Sequence, residues 1–147
     1  MRRLFPLGLL LVALPLSAAL DPKYELRDRQ RATHHLQFTV EAVQVGEGRC
    51  RVQGRLAQVF FSGDNGPEQA GDALVFELPC LTPGLEPMPG PTLWFSVPAL
   101  QAANVMEGFF VRGPDGRLRP NGGQVSTVPA LRDRPWCSPW EHACDLP

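Results

Sequence analysis

Strict alternation of apolar and polar side chains over residues 36–56 constrains the fold more than any other feature of this chain. Leu36, Phe38 and Val40 alternate with Gln37, Thr39 and Glu41, and Val43 and Val45 carry the pattern past Ala42. Gly46-Glu47-Gly48 interrupts it as a turn, after which Cys50, Val52, Gly54 and Leu56 alternate with Arg51, Gln53 and Arg55. A period of two puts successive side chains on opposite faces of a strand, so the pattern predicts two long, half-buried strands joined as a hairpin. Val59-Phe60-Phe61 extends the second.

Further strands are expected at 73–78 and 105–112, with a last short one at 124–128 after an Asn121-Gly122-Gly123 turn. Thr92 to Val97 has strand composition, but its flanking prolines restrict it to an edge or a short extended piece. Pro83, Pro87, Pro89 and Pro91 keep the preceding stretch irregular, and residues 98–104 are suited to a helical turn or two with Pro98 at its start. Five or six strands, little helix and many turns specify an all-β domain. The order fits a small Greek-key barrel of the oligonucleotide/oligosaccharide-binding (OB) type, with a Pro-rich insertion and an irregular C-terminal tail. A small β-sandwich is the alternative. The strand order resembles the barrel plan of secreted inhibitor-like and netrin-like domains, a likeness of architecture alone, because the N-terminal cysteine framework of those domains is missing here.

The N-terminus sets the compartment. Arg2-Arg3 precede an apolar run over residues 4–16, and Ser17-Ala18-Ala19 supplies small residues for cleavage. The run falls short of the roughly 20 apolar residues of a membrane span, so a cleaved signal peptide (1–19) is expected, with no stable membrane anchor afterwards. The remaining chain divides into a charged arm at 20–34, able to form one short helix, a β-domain at 35–128, and a Cys/Trp-containing tail at 129–147. Bacterial export to the periplasm or the medium follows. Without residues 1–19 the net charge is −3, from 12 basic and 15 acidic residues. The basic residues form no stripe, which speaks against nucleic acid as a partner.

Four cysteines in an exported chain point to disulfides. The favoured pairing is Cys50 with Cys80, tying neighbouring strands, and Cys137 with Cys144, closing a small loop in the tail. His34, His35 and His142 are weak metal candidates: adjacent histidines on a strand face opposite ways, and disulfide formation removes the thiolates. The loop from Gly63 to Glu68, with Asp72 beyond it, has oxygen ligands but not the calcium-loop spacing. Ser62, Ser96, Ser126 and Ser138 sit in no nucleophile motif, so no catalytic residue is assigned. Glu41, Glu77 and Glu107 are expected on exposed strand faces. Trp94, Phe110, Trp136 and Trp140 form a candidate ligand platform, with packing by the tail as the competing reading. The expectation is a monomeric, non-enzymatic module of the cell envelope without a cofactor, binding a protein or glycan. A small secreted hydrolase and a periplasmic metal-binding protein are the rivals.

Overall fold

The computed structural model describes residues 21–63 and 65–146. The expected signal peptide lies outside the described residues. The chain runs α1 (Pro22–Arg31), β1 (His34–Val45), β2 (Arg49–Ser62), β3 (Ala73–Leu81), β4 (Phe95–Ser96), α2 (Val97–Ala102), β5 (Val105–Arg112) and β6 (Leu118–Val128). The strands form one six-stranded sheet in the order β4-β3-β2-β1-β5-β6. All neighbours are antiparallel except β3 and β4, which are parallel through Cys80–Phe95 and Leu81–Ser96. The sheet curls into a half-barrel that brings β6 back towards β3. The fold is therefore all-β, on the plan expected from the alternation, with α2 placed between the first three strands and the second hairpin.

The curl has local causes. Bulges in the β1–β2 pairing at His35/Leu36, Gln37/Phe38 and Val40/Ala42 increase the twist. Gly54 permits a close approach at this bend, since a Cβ there would collide with the Thr39 carbonyl oxygen. Inward-facing residues build the core: Leu36 and Phe38 from β1, Val52 and Leu56 from β2, Leu74, Phe76 and Leu78 from β3, with Leu100 from α2 and Met106 and Phe110 from β5. Phe38, Phe76 and Phe110 meet edge-on, with centroids 5.2–6.0 Å apart. Both favoured disulfides are present, Cys50–Cys80 and Cys137–Cys144. The first joins β2 to β3 inside this core, where both sulfurs' residues are fully buried.

Two local expectations change. Residues 121–123 are not a turn between strands. β6 is continuous from Leu118 to Val128, and the extra residues form a bulge between the Gly108–Val125 and Phe110–Pro120 pairs, with Gly122 and Gly123 at positive φ. Gly122 also accommodates Asp28 of α1, whose carboxylate occupies the space a Cβ would need. The strand predicted over 92–97 contracts to Phe95–Ser96, because Ser96 is the N-cap of α2 and its hydroxyl accepts from the Ala99 N–H.

The charged arm is α1, capped by Asp21 with Pro22 in the first turn and Arg29 and Arg31 in the last. It is not solvated throughout: Arg29 is buried against the sheet and the tail.

Candidate binding cleft

Two groups of polar residues sit on opposite sides of the sheet, and β1 separates them. His34 points into the half-barrel and His35 points out, as adjacent residues of a strand must.

On the outer side, Glu107 of β5 is 1% exposed yet accepts four hydrogen bonds. They come from His35 Nε2 at 2.8 Å, Gln37 Nε2 at 3.0 Å, and the backbone N–H groups of Trp136 (3.0 Å) and Cys137 (2.9 Å). Burial acts to raise the Glu107 carboxyl, but the bonds from His35 and the two tail amides outweigh it and hold it below the ordinary glutamate value. An ionised Glu107 accepts only, so His35 carries its proton on Nε2. His35 stacks on Phe109 at 4.0 Å, and Gln37 Oε1 accepts from the Arg132 N–H at 2.8 Å. Arg29 completes the group from α1. Its Nε donates to Gln124 Oε1 (2.9 Å) and its Nη1 to the carbonyls of Ser138 (3.1 Å) and Glu141 (2.9 Å). Burial lowers the Arg29 pKa, with Glu25 and Glu107 acting against it. These bonds clasp the tail onto the outer face of β1 and β5: Glu107 holds the Trp136 and Cys137 amides, Gln37 the Arg132 amide, and Arg29 the Ser138 and Glu141 carbonyls.

One sequence expectation is corrected: Glu107 is buried rather than on a solvent face. The metal candidates His34 and His35 are buried as well, on opposite sides of β1. Glu41 and Glu77 do lie on the exposed side, paired with Arg55 (2.7 Å) and Arg49 (3.7 Å).

On the inner side, His34 Nε2 lies 3.2 Å from Glu68 Oε2, and Arg112 binds Glu68 Oε1. His34 Nδ1 is 2.9 Å from Thr33 Oγ1. Burial would raise the Glu68 carboxyl; Arg112 chiefly, then its own backbone N–H and His34, lower it on balance. This group pins the loop after β2 to the end of β5, and it closes one end of a cleft of about 960 Å³.

The cleft follows the line where the barrel fails to close. Its floor includes Leu56, Leu74, Phe76 and Leu118, and its sides carry Arg49, Arg51, Arg112, Arg117 and Arg119 with Glu68, Asp72, Glu77 and Asp115. Arg119 pairs with Asp115 at 2.9 Å, Arg49 with Glu77, and Arg112 with Glu68. Among the described residues, neither Arg51 nor Arg117 has a carboxylate partner.

The cleft walls are also strand edges. Gly48 O accepts from Cys80 N and Asp72 O from Leu56 N, so the even-numbered residues of β3 turn their amides to β2. Ala73, Val75 and Glu77 therefore direct N–H and C=O into the cleft. The Gly113–Arg117 bond fixes the same parity on the other wall, where Leu118 and Pro120 face outward from the β5–β6 ladder. No ladder joins β3 to β6.

The residues suggested as an aromatic platform do not share a surface. Phe110 is wholly in the core, and Trp94 is half-buried, with its indole nitrogen shielded and without an acceptor among the described residues. Trp136 packs under the Arg132 guanidinium at 3.7 Å and donates to the Ala130 carbonyl. Trp140 alone stands in solvent, 73% exposed on the disulfide loop. His142 is exposed on that same loop, away from the two buried histidines, and the described residues hold no group of three or more His, Cys, Asp or Glu arranged to bind a metal ion. Ser126 Oγ lies 3.6 Å from Cys144 Sγ.

Sequence alone gave no reason to single out the cleft, because its residues come from β2, β3, the loop after β2 and the β5–β6 hairpin. One signal was readable: Arg49, Arg51, Val75 and Glu77 occupy the outward phase of strands whose inward phase is uniformly apolar. No protein-family model matches this chain, and no curated protein is similar to it at a significant level.

Proposed function

We propose that this chain is an exported, non-enzymatic binding module of the bacterial cell envelope that holds an envelope protein or glycan in the cleft between β3 and β6. The observation that carries the reading is the cleft itself: an apolar floor, strand edges that no described strand covers, and two arginines without a carboxylate partner among the described residues. A concave site with a few convergent polar groups is the usual form of a binding site. The His–Glu pairs favour binding over hydrolysis, since Glu107, bonded to His35, holds two amides of the tail, and Glu68, bonded to His34 and Arg112, holds the loop after β2. Two disulfides fit a non-reducing compartment, and no helix among the described residues is long and apolar enough to cross a membrane.

The test is capture from envelope extract with three forms of the protein. Wild type and Trp140→Ala are expected to retain the same partner, and Arg51→Glu/Arg117→Glu to lose it. Retention by the charge-reversed form, with loss in Trp140→Ala, would move the site to the disulfide loop and overturn the proposal.

A further inference from the structure

The walls of the cleft specify what kind of partner fits. Edge strands of stable proteins are normally covered, or blocked by proline and charge, because a row of free N–H and C=O groups accepts another strand. Here the blocking is partial. Pro79 removes one donor from the outer edge of β3, and β4 covers Cys80 and Leu81 just beyond it. Pro120 does the same on β6. Between Asp72 and Pro79, the amides of Ala73, Val75 and Glu77 stay open, over a length of about 17 Å for five residues. Val75 is 39% exposed, which leaves an apolar side chain at the middle of this edge. Arg51, on the neighbouring strand directly opposite Glu77, and Arg117, at the hairpin across the cleft, supply positive charge without a carboxylate partner among the described residues.

Resting on the cleft as the binding site, we infer that its occupant is an extended, acidic polypeptide segment that adds to the β3 edge as a further strand at residues 73–77. Main-chain hydrogen bonds to Ala73, Val75 and Glu77 give the affinity, and carboxylates of the partner reach Arg51 and Arg117. Charge complementarity selects an acidic strand over a basic one, and the proline block at Pro79 fixes where the added strand ends.

The probe is a synthetic peptide of alternating valine and glutamate, about nine residues long to match a typical strand with overhang. A valine–lysine peptide and polygalacturonate, an anionic glycan, serve as comparisons. The glutamate peptide is expected to bind and to slow amide exchange at residues 73, 75 and 77 at least tenfold, about the protection that one new hydrogen bond each confers. Its affinity should fall at least about tenfold in Arg51→Glu/Arg117→Glu and fall with added salt. Val75→Pro removes an amide that points away from β2, so the β2–β3 ladder survives while peptide binding is lost. Equal binding of the lysine peptide, binding without protection of these amides, or preference for polygalacturonate would each overturn the inference. If the charge-reversed form loses its envelope partner while the glutamate peptide protects no amide, strand addition fails and the cleft reading stands. If charge reversal affects neither, both fail.

Discussion

The outer face of β1 and β5 and the seam between β3 and β6 treat polar groups in opposite ways. On the outer face a buried carboxylate, two amide side chains, a histidine and an arginine are linked by hydrogen bonds to one another and to the tail that closes over them. At the seam, strand amides and two arginines have no partner among the described residues, although both regions lie on the same sheet. A fully satisfied buried network rigidifies what it joins, whereas unsatisfied groups at a surface remain available. The difference gives the clasp a structural role and leaves the seam as the site of the proposed binding.

The clasp should give the largest change in stability. Glu107→Ala strands the His35 and Gln37 donors and two backbone N–H groups, and is expected to cost about 3–5 kcal/mol in urea unfolding. A cost below about 1 kcal/mol, the level of an ordinary surface change, would mean the tail is not held as described. The disulfides come next. In the loop-entropy relation, Cys50–Cys80, with a separation of 30 residues, is worth roughly 3.6 kcal/mol, and Cys137–Cys144, with a separation of 7, roughly 2.4 kcal/mol. Paired serine replacements should preserve that order. A reversed order would show that the tail loop contributes more through its contacts with Arg29 and Glu107 than through closure.

Acid gives a graded test of the same clasp. The Glu107 carboxyl is lowered in the folded state, so its contribution is complete above the unfolded value of about 4.3 and is lost as pH falls through the lower folded value. Glu68 follows the same sign. Stability against pH should therefore drop below about pH 4.3 in wild type, and less steeply in Glu107→Gln. The smallest effect belongs to the seam: Arg51→Glu/Arg117→Glu should shift stability by no more than about 0.5 kcal/mol, since both side chains are exposed and have no carboxylate partner among the described residues.

Much of the fold was legible because it is local. Alternation placed β1 and β2, the run from Val105 to Arg112 gave β5 to the residue, and export chemistry with spacing favoured the two disulfides that form. The clasp was not legible, because it depends on a tail with no periodicity. Glu107 and His35 occupy the outward phase of their strands, and that phase reads as solvent unless something covers it. A trace existed in the unbroken burial of β5 from Val105 to Phe110, whose sequence is apolar on both phases apart from Glu107 and Gly108. Such a run marks a strand covered on both faces, so an acid within it needs partners. Arg29 carried no comparable signal, since a lone arginine in a charged helix looks like its neighbours. The bulge at Asn121–Gly123 was misread as a turn because the same residues serve both, and only the pairing across to β5 distinguishes them.

The division between clasp and seam is tested most directly by the affinity of the valine–glutamate peptide, measured on folded Glu107→Gln and Arg51→Glu/Arg117→Glu proteins beside wild type. The expected result is wild-type affinity in the clasp variant and at least a tenfold loss, about 1.4 kcal/mol, in the seam variant. Unchanged affinity in the seam variant, or a matching loss in a clasp variant that is still folded, would contradict it.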